Sequence, residues 1–155
     1  MSTPSQVTTD VGPDTVSATA VVDAPPTEVF EFLRRPANHA EISGDGTVRD
    51  TNSGEERLAL GGRFGMKMKV GVPYRVSSTV VELEEDRLIA WAHFGGHRWR
   101  WTLEPVGDGQ TRVTETFDQS TSRFPPGLRL LGYPARHRDN VEQSVRNVAA
   151  HFTAG

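Results

Sequence analysis

The feature that most constrains the fold is a series of strand-like segments between residues 63 and 118. Residues 63–70 alternate apolar and polar side chains, and strand-like segments follow at residues 74–83, 87–94, 98–105 and 111–118. The connections "EED", "GGH" and "VGDGQ" between the later segments are short, and such connections join neighbouring antiparallel strands. The sequence therefore predicts an antiparallel meander.

Further elements flank the meander on both sides. "TVSATAVV" (15–22) and "TVRDT" (47–51) predict two more strands, and "DAPPTEVFEFLRR" (23–35) predicts a helix because prolines occupy its first turn. "PANHAEI" adds a short helical turn. The segment "NVEQSVRNVAAHF" (140–152) predicts a long final helix, whose apolar face carries Val141, Val145, Val148 and Phe152.

The predicted fold class is therefore α+β, an antiparallel sheet of about seven strands with a long C-terminal helix. A curved sheet of this size cannot cover its own concave face, so the final helix is expected to lie across that face. The two together can enclose an internal cavity, the usual form of a small-molecule site. Residues 1–14 are polar and predict a disordered tail, whereas residues 15–155 predict a single domain.

Composition excludes several classes of function. The chain of 155 residues has no cysteine, which excludes disulfides, thiolate metal sites and a cysteine nucleophile. Its net charge of −3 argues against nucleic-acid binding. No apolar run has the length of a membrane span, and the N-terminus lacks the pattern of a signal peptide. We therefore expect a cytoplasmic protein without stable membrane insertion.

The stretch "HRWRWTLEP" (97–105) alternates cationic and aromatic residues. In a strand, Trp99 and Trp101 point to one face and Arg98 and Arg100 to the other. The alternation favours a strand with an apolar inner face over a nucleic-acid surface. Core packing and cavity lining are both open interpretations of the tryptophans.

Glu115 is the sharpest candidate for chemistry. In "TRVTETFD" it shares strand parity with Val113 and Phe117, so it is expected to point toward the cavity. Desolvation on an apolar face favours the protonated carboxyl, which suits a general acid or base. The alternative is a structural glutamate paired with a histidine, an arginine or Tyr133.

Two histidines near the hairpin at residues 93–97 suggest a second chemistry. His93 and His97 could approach each other and, with Glu115, form a two-histidine, one-carboxylate metal set. The more ordinary interpretation is a pair of partly solvated hairpin histidines. We therefore predict no metal and no cofactor.

The basic segment "RFPPGLRLLGYPARHR" (123–138) contains four arginines and no acidic residue. It could cover the cavity as a lid, contact a membrane surface or a protein partner, or serve as a plain solvated connection. Its Leu128 and Tyr133 are candidates for contact with a ligand.

The sequence resembles the helix-grip, START-like superfamily called SRPBCC, and within it the polyketide cyclase/dehydrase-like proteins of bacteria. The residues that carry the resemblance are "VVDAPPTEVFEFLRRPANHAE" (21–41), "RWRWTLEPVGDGQTRVTETFD" (98–118) and the C-terminal helix. The resemblance implies a deep, mostly apolar cavity under the last helix, open to a hydrophobic or aromatic ligand. Relatives commonly carry aromatics in the loop after the first helix, where this chain has "NHAEISGDG", so their contacts from that loop cannot be transferred.

Residues and resemblance together predict a protein that binds a small hydrophobic or aromatic molecule, with polyketide cyclase or dehydratase activity through Glu115. A non-catalytic carrier or sensor for lipids or isoprenoids is the main alternative, and a toxin-like interaction protein is a third. The predicted ligand-binding residues are Phe64, Met66, Met68, Trp91, Trp99, Trp101, Phe117, Leu128 and Tyr133.

Overall fold

The computed structural model describes residues 7–12, 14–35, 38–42, 48–54, 58–70, 72–92, 98–118 and 138–153. Eight strands in these ranges form one antiparallel sheet, with the order β1-β2-β8-β7-β6-β5-β4-β3. The strands are β1 Thr8–Val11, β2 Thr15–Val22, β3 Val48–Gly54, β4 Arg63–Val70, β5 Val72–Glu84, β6 Leu88–Ala92, β7 Arg98–Pro105 and β8 Thr111–Asp118. The helices are α1 Pro26–Leu33, α2 His39–Ile42 and α3 Arg138–Thr153. The predicted α+β class is confirmed.

The sheet has to be strongly curved, because its two edges reach the same helical layer. Helix α3 packs on β1, β2 and β8 near one edge, and α2 packs on β3 at the opposite edge. Helices α2 and α3 also contact each other. Register shifts in the β3–β4 and β5–β6 pairs supply bends, since a bulge kinks a strand and increases its twist. The concave face, called the inner face below, is the one that faces the helices.

Strand β1 corrects the prediction that residues 1–14 form a disordered tail. Residues 8–11 pair with β2, and Thr9 lies opposite Ala18. The Thr9 Oγ1 donates a hydrogen bond of 2.6 Å to Glu142 Oε1 on α3. A polar strand carries no hydrophobic pattern, so the signal that would reveal it is only the β-branched run at residues 7–9. Residues 1–6 and 13 lie outside the described part of the chain.

The final helix buries the predicted apolar face. Val141, Val145 and Val148 are fully buried, and Phe152 packs at the edge of the same core. Across from them lie the small inner-face residues Ala18 and Ala20 of β2, also buried. Small side chains on β2 let the α3 backbone approach the sheet closely at this edge, whereas α1 packs on β6 and β7.

Arg34 anchors the C-terminal end of α1 to the sheet. Its side chain is 4% exposed, and its Nε and Nη2 donate to the Leu58 carbonyl at 3.1 and 2.7 Å. Its Nη1 forms a 2.9 Å ion pair with Glu85 in the β5–β6 turn. The Leu58 amide donates to the Arg34 carbonyl at 2.8 Å. Arg34 therefore ties the end of α1 to the sheet and sets the position of the α1–α2 segment.

Candidate functional site

Cross-strand pairs build the candidate site on the inner face. Directly opposed residues of an antiparallel pair lie on the same face of the sheet. The register therefore shows which residues form a continuous row across neighbouring strands on that face. One row contains Trp91, Trp99 and Phe117, and the next contains Ile89, Trp101, Glu115 and Ala18. Strand alternation therefore places three predicted tryptophans, Phe117 and Glu115 on the same concave surface.

Glu115 occupies the position that its strand parity predicts. It is 5% exposed, between the fully buried Val113 and Phe117 on β8. Its cross-strand neighbours are Trp101 on β7 and Ala18 on β2. A carboxyl group is thus held in an apolar part of the sheet, under the helical layer.

The aromatic residues differ in how far they are covered. Trp101 and Phe117 are completely buried, and Trp91 is 7% exposed. Trp99 retains accessible surface, although its ring packs against Phe117 at a centroid distance of 4.7 Å. Phe117 and Trp101 are therefore the most deeply buried rings of the two rows, whereas Trp99 is partly exposed.

The indole N–H of Trp101 is buried without a hydrogen-bond partner among the described residues. Buried indole N–H groups normally find a partner. The indole ring is held by packing on the row that contains Glu115 and Ile89.

His39 is a candidate site residue that the sequence analysis missed. It is 4% exposed and stacks on Trp91 with a centroid distance of 4.6 Å. Its Nε2 lies 3.0 Å from the Leu33 carbonyl, so this nitrogen carries the proton and Nδ1 carries the lone pair. Desolvation lowers the pKa of His39 to about 4, despite the opposing effect of the Leu33 hydrogen bond. The imidazole is therefore neutral near pH 7.

The short helix α2 holds His39 over the aromatic row. Asn147 on α3 donates 3.3 Å to the Ile42 carbonyl, and His151 lies 3.0 Å from Glu41. Phe32 on α1 stacks on His151 at 4.1 Å. The contacts close one end of the inner face with the three helices. The sequence signal for His39 is only its place in "PANHAEI", because nothing in one sequence distinguishes a buried histidine from an exposed one.

The outer face of β7 carries the arginines of "RWRW" in an ion-pair cluster. Arg98 and Arg100 contact Glu82 Oε2 at 2.9 and 2.8 Å, and Arg100 lies 3.5 Å from Asp118. Desolvation raises the pKa of Glu82, but hydrogen bonds from the two arginines outweigh it and hold the pKa below its usual value. The hydrogen bond to Glu82 raises the pKa of Arg100. The arginines thus meet acidic partners within the sheet.

A depression lies on the outer face, near the β7–β8 turn. It has a volume of about 370 Å³, and its lining includes the exposed ion pair of Arg112 with Glu104. The groove contains none of the inner-face residues that carry the candidate chemistry. We therefore assign the candidate site to the inner face.

The remaining predicted residues divide into two groups. Positions 64, 66 and 68 of β4, occupied by Phe64, Met66 and Met68, pair in register with Ser78, Val76 and Tyr74 of β5. Alternation along β5 from Val80, which pairs with Trp91, assigns these positions to the inner face. Leu128, Tyr133, His93, His97 and most of the basic segment 123–138 lie outside the described residues.

Two other observations concern chemistry and membranes. Within the described ranges, no group of three or more histidine or acidic side chains is arranged to hold a metal ion. Among the helices that the structure describes, none combines the length and apolar character needed to cross a membrane.

Comparison with known proteins identifies the fold and the family. The structure is similar to a crystal structure of a Rhodobacter sphaeroides protein, with a TM-score of 0.68, 16% identity and coverage of 96% and 99% of the two chains. It is also similar to protein Ms6760 of Mycobacterium smegmatis (TM-score 0.67, 18% identity, coverage 97% and 99%). An AHSA1-like protein of Aeromonas hydrophila matches with a TM-score of 0.59, 20% identity and coverage of 88% and 93%. The predicted helix-grip fold is therefore confirmed.

Sequence comparison gives a nearer relative. The protein Rv0088 of Mycobacterium tuberculosis strain H37Rv is 36% identical over 151 residues, which cover 94% of this chain and 67% of the relative. A family model described as "Polyketide cyclase / dehydrase and lipid transport" matches residues 13–153. The chain therefore belongs to the polyketide cyclase/dehydrase and lipid transport family, of the SRPBCC type that its sequence resembles.

Proposed function

We propose that the chain binds a small hydrophobic or aromatic ketone between its inner face and α3, and catalyses cyclisation or dehydration of that molecule. The observation that carries the proposal is Glu115, a carboxyl 5% exposed that lies between Val113 and Phe117 on β8 and opposite Trp101 on β7. Burying a carboxyl is costly, and buried ionisable groups are concentrated at functional sites. The burial of Glu115 on the inner face supports a role in proton transfer.

Glu115 supplies the proton transfers that such a reaction needs. Its carboxylate removes a proton from the carbon beside a carbonyl, and the C–H electron pair forms an enolate. The enolate carbon attacks a second carbonyl of the same molecule, which closes a ring and leaves an alkoxide. The carboxylic acid then returns its proton to the alkoxide. Loss of water from the resulting alcohol follows by the same proton transfers.

The inner-face aromatic residues bind the body of the ligand. Trp99 is partly exposed and lies between Trp91 and Phe117 in its row. Aromatic rings contribute most to the affinity for planar apolar ligands, through buried area and stacking. The sequence-based prediction that Met66 and Met68 contact the ligand stays part of the proposal, since flexible methionine side chains adapt to irregular ligands.

The family description names lipid transport beside cyclase and dehydrase activity, and this favours a non-catalytic carrier as the second candidate. A carrier uses the same inner face and binds lipids or isoprenoids without changing them. The two candidates agree on the site and differ on Glu115, which a carrier does not need for chemistry.

Binding at the inner face is tested with prodan, a fluorescent aromatic ketone. Trp99→Ala removes an inner-face ring and is expected to weaken prodan binding about tenfold, or about 1.4 kcal/mol. The control is Thr102→Ala, which changes the same strand on its outer face and should leave the affinity unchanged. Fluorescence titration measures both. Equal affinities of the folded Trp99→Ala variant and the original chain would contradict the proposed site.

A further inference from the structure

The buried indole N–H of Trp101 points to the chemical class of the ligand. The Trp101 side chain is completely buried, and its Nε1 has no hydrogen-bond acceptor among the residues that the structure describes. A buried donor without a partner costs about 1–3 kcal/mol relative to a satisfied one. A ligand oxygen that accepts this hydrogen bond recovers that free energy on binding.

The neighbours of Trp101 define where such an oxygen would lie. On β6 the neighbour is Ile89, which offers no acceptor, and on β8 the neighbour is Glu115. Directly opposed side chains of an antiparallel pair have Cβ atoms about 4.5–5.5 Å apart. Trp101 and Glu115 are thus cross-strand neighbours, next to the row that contains Trp99 and Phe117, so their side chains can contact one ligand.

We infer that Trp101 is the hydrogen-bond donor that holds a carbonyl oxygen of the ligand, so that the site prefers a ketone over a hydrocarbon of the same shape. The inference rests on the proposed binding site. It adds a specificity-determining residue to that site and names the group that the residue recognises.

The same hydrogen bond has a role in the proposed reaction. When Glu115 removes the proton beside a carbonyl, negative charge develops on the carbonyl oxygen. A donor already aimed at that oxygen stabilises the enolate more than the ketone, because the hydrogen bond strengthens as the acceptor gains charge. Trp101 would thus donate to the carbonyl oxygen while Glu115 removes the proton from the adjacent carbon.

The test compares two ligands of nearly equal shape, 2-tetralone and tetralin, which differ by the carbonyl. Calorimetric titration should show that the original chain binds 2-tetralone about five- to tenfold more tightly, the value of one neutral hydrogen bond. Trp101→Phe keeps an aromatic ring without the N–H and should bind both ligands equally. Trp99→Phe is the matched control on the same strand and face, and it should keep the preference for the ketone.

Nuclear magnetic resonance provides a second measurement that needs no Trp101 variant to fold. Indole N–H signals of ¹⁵N-labelled protein are assigned with Trp91→Phe and Trp99→Phe, so that the remaining signal is Trp101. Adding 2-tetralone should shift this signal downfield, whereas tetralin should not.

A folded Trp101→Phe variant that keeps the preference for the ketone overturns the inference, and so does a Trp101 signal that responds equally to both ligands. Equal affinities of the original chain for 2-tetralone and tetralin would reject the donor role and leave the proposed binding site intact. Failure of both ligands and of prodan to bind would reject the proposed function as well.

Discussion

Glu115→Gln is expected to lower catalysed proton abstraction by about 10²–10⁴-fold, the usual contribution of a general acid or base. The amide keeps the size and shape of the side chain but cannot accept the proton. The assay follows exchange of the acidic protons beside the carbonyl of 2-tetralone for deuterium, by proton magnetic resonance in D₂O. Affinity for 2-tetralone is expected to change by a few-fold at most, since the apolar surface of the site is untouched.

The control for this variant is Glu104→Gln, the same chemical change on an exposed carboxylate of β7. This variant should catalyse exchange of the 2-tetralone protons at the rate of the original chain. If Glu115→Gln catalyses exchange at that same rate, Glu115 is not the general base. Tight binding by the original chain with exchange only at the buffer rate would favour the carrier.

His39 is expected to make the fold sensitive to mild acid. Its pKa is lowered from 6.5 to about 4 by desolvation, so the unfolded chain binds a proton between these values while the folded chain does not. Stability is therefore complete above pH 6.5 and falls as the pH drops toward 4. The loss is about 2 kcal/mol between pH 7 and pH 5, and about 3 kcal/mol in total.

Urea unfolding at pH 7 and pH 5 measures this loss. His39→Phe keeps a ring against Trp91 and cannot titrate, so it should remove most of the difference between the two pH values. The control is His151→Gln, which changes an exposed histidine that lies beside Glu41, and it should keep most of the difference. An unchanged difference in His39→Phe would show that other groups cause the acid sensitivity.

Parity along β7 and β8 is the part of the site that the sequence could predict. Period-two alternation groups Trp101 with the apolar residues of "RWRWTLEP" and Glu115 with Phe117 in "TRVTETFD", and the β7–β8 register puts both groups on one face. The same reasoning worked for α3, where valines spaced three and four apart mark the buried face. Such patterns are readable because each element repeats its own geometry.

Contacts between segments that are far apart in the chain cannot be predicted from local patterns. His39 is buried because α2 packs against α3 and Trp91, and Arg34 is buried because Leu58 and the β5–β6 turn meet it. Neither residue carries a local pattern, so only the assembled fold reveals its environment. Strand β1 was missed for a similar reason, since its stability comes from pairing with β2 and from Glu142.

The central claim is that a small apolar molecule binds between the inner face and α3. Native mass spectrometry of the chain purified from its own host tests this most directly. The account predicts a second species heavier by one small molecule, which disappears on denaturation, and whose fragmentation identifies a carbonyl on an apolar skeleton. A single species at the mass of the bare chain, together with no mass increase after incubation with 2-tetralone, would contradict it.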